Sequence, residues 1–363
     1  MEKNKIFAIA AVLIVVIAAV GVALFLTKDD GGNDAAITVT DSMGREVVIP
    51  EEIDSIFCIG ACSLRLVSYF DAVDKVTAME TYGTFNTRDD QTYYLVNKAQ
   101  FSALPQVGTD AESIIAANFS IVITSTAVDA AAADTLQNQT GIPVFTINAN
   151  LEFGQVFYDQ IISMGTLLGE ENRAAELNDG IAGLINDVKS AAPSNSTASA
   201  YACGMFYYGG ASFLKASGNY LPFDYSNVTN AIDPATNGQP YVITLETLIA
   251  ADPDYIFVDG IGLSGCVASI NGYIDDDTGL EDVSAIENNH TYSTMIYKCY
   301  GTNWENQLVN VYFVADTING GMYSWSFEDK ANEIIQLFYP STTMTYSDIM
   351  GGQTGNGCGS VTL

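Results

Sequence analysis

The sequence predicts an α/β protein: two Rossmann-like lobes linked by a single long α-helix and preceded by an N-terminal transmembrane helix. Three observations predict it. Short apolar runs alternate with stretches of helical spacing in two separate parts of the chain. Between them, from Phe153 to about Ala192, the pattern is helical throughout. An uncharged apolar run opens the chain. At 363 residues the protein is too long for one ordinary core, and two lobes account for the length.

The opening run, Ile6–Leu26, has no charged or polar side chain and is long enough to span a bilayer as a helix. It exceeds an ordinary secretory apolar region, and no cysteine follows for lipidation. We expect an uncleaved signal anchor over residues 1–27. Lys3 and Lys5 before it and Lys28 after it bias the N-terminus only weakly toward the cytoplasm. Residues 28–36, rich in Gly and Asp, read as a linker. The remainder is expected outside the cell, on a single-pass anchor.

The first lobe is expected over 37–152. "AITVTDSMGREVVIP" alternates apolar and polar residues around Met43-Gly44, as a hairpin does. "SIFCIG", "KVTAME", "SIVITS" and "PVFTIN" read as strands, and "CSLRLVSYFDA" as a helix. Residues 153–193 form the connecting segment: a helix ending at Gly169, then one of about six turns stopped at Pro193. The second lobe, 194–345, has strand candidates "AYACGMFYY", "PDYIFVDG" and "STMIYKCY". Residues 346–363 form a Gly-rich tail that can wrap back or fray, with Cys358 a candidate disulfide partner.

Composition narrows function. Thirteen Lys and Arg stand against 43 Asp and Glu, a net charge of −30, so nucleic acid is a poor partner. The six cysteines contain no C-x-x-C, which argues against structural zinc; Cys58 reads as a buried strand residue. The single histidine, His290, reads as a solvated loop residue. One imidazole suits neither an elaborated Ser-His-Asp hydrolase nor a zinc or manganese site. No G-x-G-x-x-G follows the first strand and no phosphate-cradling loop occurs. We expect no catalytic residue, no metal site and no cofactor, and hence no enzyme.

One phrase is written twice. "ESIIAANFSIVI" begins at Glu112 and "ETLIAADPDYIF" at Glu246. An N-cap candidate, Asp110 or Thr244, stands two residues before each glutamate, and Asn118 or Asp252-Pro253 ends each helix. Each glutamate falls in a first helical turn, where its charge favours the helix dipole. Capping alone accounts for an acidic residue there.

These phrases, with "TDSMGREVVIPEEIDSIFCIG", "LPQVGTDAESIIAANFSIVITS" and "VITLETLIAADPDYIFVDG", resemble the substrate-binding proteins of ABC importers for iron–siderophores, haem and cobalamin. "GASFLKASGNYLPFDYSNVTNAID" and "NWENQLVNVYFVADTI" look like archaeal members. The resemblance covers about residues 37–345. It implies two lobes that dock, through one exposed acidic residue each, on a two-fold ABC permease driven by an ATPase. The matching residues here are Glu112 and Glu246. It implies a metal-chelate or corrinoid ligand in the cleft between the lobes. Loops at the strand ends would supply Cys62, Ser63, Tyr82, Phe85, Ser125 and Thr126 from one lobe. The other lobe would supply Tyr207, Tyr208, Phe213, Asp259 and Trp304. Glu80 and Tyr300 lie on the same loops, and about half of the aromatic residues are expected in the core. Arg65 and Arg88 could meet an anionic ligand or serve in salt bridges. The alternatives are a surface receptor or sensor of the same fold that feeds no importer, and a direct ferric-ion binder.

Overall fold

The structure is a computed structural model that describes residues 37–81, 87–194, 196–206, 210–232, 240–352 and 357–363. The expected anchor, Ile6–Leu26, lies outside the described residues. Among those described, no helix is long and apolar enough to cross a membrane. Thr38–Leu363 form one compact unit.

A hairpin of β1 (Thr38–Thr40) and β2 (Glu46–Val48) opens it, turning at Gly44 with φ +74°. Five parallel strands follow: β3 (Ile56–Ile59), β4 (Val76–Glu80), β5 (Gln106–Val107), β6 (Ile121–Thr124) and β7 (Val144–Thr146). Their order is β5-β4-β3-β6-β7, so the winding reverses between β3 and β6. β3, β6 and β7 are buried at every position, as strands covered on both faces must be.

The second sheet repeats the plan. Its strands are β8 (Ser199–Cys203), β10 (Thr229–Asn230), β12 (Tyr255–Asp259), β13 (Thr291–Thr294) and β14 (Gly359–Ser360). The order is β10-β8-β12-β13-β14, with a reversal between β8 and β12. The first four are parallel, and β14 adds antiparallel at the edge. A small ribbon, β9 (Lys215–Ala216) with β11 (Tyr241–Val242), stands beside it. The tail therefore wraps back through β14. Cys358 makes no disulfide; all six cysteines are free thiols, and Cys358 lies 3.5 Å from Asn310 Oδ1.

One strand expectation and the reading of His290 need correction. "STMIYKCY" is a strand only through Thr294; beyond it Tyr297 N–H donates to the Asp259 carboxylate instead of to a neighbouring strand. Tyr300 and Gly301 then turn left-handed, with φ +55° and +89°. His290 is half-buried instead of solvated, stacked on Tyr255 with ring centres 4.7 Å apart.

The connecting segment is two packed helices, Gln155–Leu168 and Glu171–Ala191, broken at Gly169 with φ +71°. A third helix joins the lobes, and its role was not expected. Trp304–Asn319 is buried at every position from Trp304 to Ala315. Leu308, Val309, Val311, Tyr312 and Ala315 belong to the core that contains β3 and β6. Phe313 and Val314 belong to the core that contains Ala200 of β8 and Phe257 of β12. One helix thus fills two cores like a wedge.

Candidate functional site: the seam between the two sheets

In open α/β sheets ligands settle beyond the carboxyl ends of the strands, where the winding reverses. Both reversal points here are tightly built. In the first sheet the loops after β3 and β6 touch. Ser125 N–H donates to Ile59 O at 3.1 Å, and a Cβ on Gly60 would lie 2.7 Å from Ser125 Oγ. In the second, a Cβ on Gly262 would collide with the Gly204 carbonyl, so the loops after β8 and β12 also meet. Gly60 and Gly204 both have φ near +80°, which glycine adopts without strain.

The two sets of loops meet at a buried seam. Cys62, left-handed at φ +63°, lies with Sγ 3.7, 3.6 and 3.4 Å from the carbonyl oxygens of Ala149, Tyr300 and Thr302. Burial pushes its thiol up to about 12, so it remains a neutral donor. Glu80, at the end of β4, accepts from Gly60 N–H at 3.0 Å and from Tyr300 Oη at 2.6 Å. Asp259, at the end of β12, accepts from Ile261 N–H at 2.9 Å and Tyr297 N–H at 2.8 Å. Burial raises its pKa to about 7, against the pull of those two amides.

Behind the seam lies a charged core. Arg65 and Glu305, both without exposed side-chain surface, form an ion pair. Arg65 also donates to Gln91 Oε1 at 2.7 Å and Asn303 Oδ1 at 2.6 Å, and sits 4.6 Å from the Tyr93 ring centre. Tyr69 and Tyr339 donate their hydroxyls to Glu305. Asn303, Asn306 and Asn310 donate side-chain amide N–H to the carbonyls of Ile296, Ile296 and Met295 at 3.0, 3.1 and 2.8 Å. The polar side of the wedge helix thereby fixes the irregular loop that carries Tyr300.

The expected ligand residues divide. Cys62, Ser63 and Asp259 lie at the seam, buried and bonded internally, with Ser63 Oγ donating to Ile59 O at 2.8 Å. Ser125 is half-buried and Thr126 exposed. Trp304 and Phe213 are core residues. Trp304 Nε1 donates to Leu151 O at 2.8 Å, and Phe213 packs edge-on against Tyr201. Tyr82, Phe85, Tyr207 and Tyr208 lie outside the described residues. Phe206, next to the last two, is 58% exposed on the loop after β8. Sequence reasoning passed over it, although its place in the "MFYY" run was a signal. Arg65 is part of the charged core, and Arg88 pairs with Asp90. A concavity of about 380 Å³ lies elsewhere, around Asp71, Asp74 and Thr342.

The repeated phrase forms matched helices. Asp110 Oδ1 accepts from Ser113 N–H at 2.9 Å, and Thr244 Oγ1 from Thr247 N–H at 3.2 Å. Ile114 and Leu248, at equivalent positions, are fully buried. Asn118 and Asp252 end the helices left-handed at φ +56° and +42°. Glu112 and Glu246 are both exposed. The Glu246 carboxyl is held below its ordinary value by its own backbone N–H and by the Thr244 hydroxyl.

Solved structures of low identity share this architecture. A periplasmic solute binding protein from Veillonella parvula is 18% identical, with TM-score 0.65, over 86% of this chain and 95% of that one. The molybdate periplasmic binding protein MolA of Haemophilus influenzae is 14% identical, with TM-score 0.62, over 85% and 99%. A protein of an ABC-type Fe³⁺-hydroxamate transport system from Saccharomonospora viridis is 20% identical, with TM-score 0.51, over 78% and 99%. No curated protein matches the sequence. The family model described as "Periplasmic binding protein" matches residues 56–295, from the first residue of β3 to the residue after β13. That match runs through the parallel strands of both sheets and the segment joining them, and the chain belongs to the periplasmic binding protein family.

Proposed function

We propose that the chain collects a metal chelate or corrinoid outside the cell, a ferric siderophore, haem or a corrinoid, and delivers it to an ABC importer. Residues 6–26 would hold it at the membrane. One observation carries the reading. Two equivalent helices, one in each half of the fold, carry an exposed glutamate in the first turn behind matched caps. A two-fold permease offers two equivalent sites, and one glutamate per lobe fits that symmetry. Exposed ion pairs contribute only about 0–1 kcal/mol each, so such a pair sets orientation more than affinity.

The ligand would enter between the loops of the two reversal points. Ser125 and Thr126 would meet it from one side, and Phe206 with the neighbouring Tyr207 and Tyr208 from the other. Cys62, Ser63 and Asp259 would form the floor. The likeness to the Fe³⁺-hydroxamate system protein supports the ligand class only through the shared fold.

The test is a thermal-shift screen of the full chain in detergent micelles with corrinoids, haemin, ferric siderophores and Fe³⁺. A ligand present at 100 times its Kd should add about 2.7 kcal/mol. A selective shift with one chelate class supports the reading. Well-folded protein that responds to none of them sinks it.

A further inference from the structure

We infer that Cys203 and Cys266 are a disulfide-forming pair, joined as the chain folds and fastening the helix Leu263–Asp275 to the end of β8. The inference rests on the reading above only in placing the chain outside the cell, where disulfides form and persist.

The two residues belong to different elements, and the winding of the second sheet brings them together. Cys203 is the last residue of β8, and its register partner on β12 is Val258. The chain leaves β12 at Asp259, makes one tight turn over Gly260–Gly262 and enters the helix Leu263–Asp275. Gly262 caps that helix, and a Cβ on it would stand 2.2 Å from the Gly204 carbonyl oxygen. The helix therefore starts against the backbone that directly follows Cys203. Cys266 lies one helical turn beyond Gly262, so it continues the same side of the chain. Both side chains are fully buried in one core cluster. Their thiols are close enough to share a hydrogen bond. Other thiols face oxygen instead: Cys62 Sγ lies against three carbonyls and Cys358 Sγ against Asn310 Oδ1.

Joining the pair removes two electrons, which an external disulfide, RS–SR, accepts. One protein thiolate attacks a sulfur of RS–SR and expels RS⁻. The second thiolate then attacks the protein sulfur of the mixed disulfide, forms the Cys203–Cys266 bond and expels the other RS⁻. The two thiol protons end on the two RSH released. The folded protein blocks this exchange. Attack requires a thiolate that the oxidant can reach, and both sulfurs are sealed in. Burial and the hydrogen bond to Cys266 also hold the Cys203 thiol well above its ordinary value. The bond therefore forms before the core around it closes. It encloses a long loop that holds β9, β10, β11 and β12, so it restrains the unfolded chain strongly.

The test begins with the full chain isolated from its own cells, denatured in excess alkylating agent and digested. Four of the six cysteines should carry the label, and mass spectrometry should show Cys203 linked to Cys266. The same chain, reduced and unfolded, is refolded in detergent micelles with oxidised glutathione. It should form the same link, whereas oxidised glutathione added after folding should leave the pair unlinked. Free thiols in the cell with the link formed on refolding would overturn the placement outside the cell and leave the pairing standing. A link in neither preparation, or a different pairing, overturns the inference. A link made after folding overturns the claim that the core shields the pair. Reductant should lower the melting midpoint of the linked protein by about 3–6 °C. The double variant Cys203→Ala with Cys266→Ala should show no such response, and an equal response would overturn the assignment to this pair.

Discussion

Tyr300 donates its hydroxyl to Glu80 Oε1 at 2.6 Å, tying the loop after β13 of the second sheet to the end of β4 in the first. The bond closes the seam from a strained position, since Tyr300 is left-handed at φ +55°. Burial and the Glu80 carboxylate both raise the phenol above its ordinary value, which keeps it a donor at any physiological pH. Tyr300→Phe should cost about 1.5–3 kcal/mol, the range for a hydrogen bond to a charged partner. Hydrogen exchange should rise first in residues 297–302; unchanged protection there would show that the bond does not hold the loop.

Breaking the Arg65–Glu305 pair from one side leaves a charge buried without its partner. Arg65→Met should destabilise by about 3–5 kcal/mol, measured by denaturant unfolding. Arg65→Met with Glu305→Gln should recover part of the loss, because the buried charge is gone and the amide oxygen still accepts from one of Tyr69 and Tyr339, which donate to different carboxylate oxygens. A double variant as unstable as the single one would place the cost in packing, not charge.

Gly301→Ala tests the backbone of the seam. The added Cβ would strike Cys62 Sγ and lie 2.9 Å from Ala149 O, at a φ of +89°. Neither neighbour can retreat, since both belong to the contact between the sheets. A loss of about 1–3 kcal/mol is expected; a neutral substitution would mean that the seam is looser than its distances indicate.

Asp259 makes stability depend on pH in an unusual direction. Its folded pKa of about 7 stands above the ordinary aspartate value of 3.8. Between these values the folded protein holds a proton that the unfolded chain has released, so this group's contribution to stability falls as pH rises. Above about pH 7 the buried charge exerts its full cost; below about 3.8 the relief is complete. Melting curves from pH 8 to 5 should therefore show a stabilisation on acidification that Asp259→Asn removes. Parallel profiles for the two proteins would exclude it.

Reversing both docking candidates, Glu112→Lys with Glu246→Lys, should leave stability within about 1 kcal/mol, as exposed substitutions usually do. Ligand affinity should be unchanged, and uptake through the cognate permease should collapse. Normal uptake would return the two glutamates to a capping role.

Much of this fold was legible in the chain because its central strands are local apolar runs closed by glycine, as at Gly60. The repeated phrase showed the caps Asp110 and Thr244 and the stops at Asn118 and Asp252. The wedge helix was not legible, for a physical reason. Glu305, Asn306, Gln307 and Asn310 are polar yet wholly buried, so Trp304–Ala315 shows no wet face by which to recognise it. Their partners, such as the carbonyls of Met295 and Ile296, exist only once the irregular loop has formed. The same coupling misplaced Trp304 as a cleft residue. Aromatic type and loop position were visible, but not that its indole N–H is taken by Leu151 O.

That wedge helix also sets the order in which the protein can be made. Lobe-one strands through Thr146 leave the ribosome well before Ala315, the last of the wedge residues that complete their core. At about 5–20 residues per second, the delay is on the order of ten to thirty seconds. During it the first lobe lacks a wall of its interior, and apolar surface meant for Leu308, Val311 and Tyr312 stands open to solvent or to a chaperone. The halves of this molecule therefore cannot mature one after the other; they complete together, when a single late helix arrives.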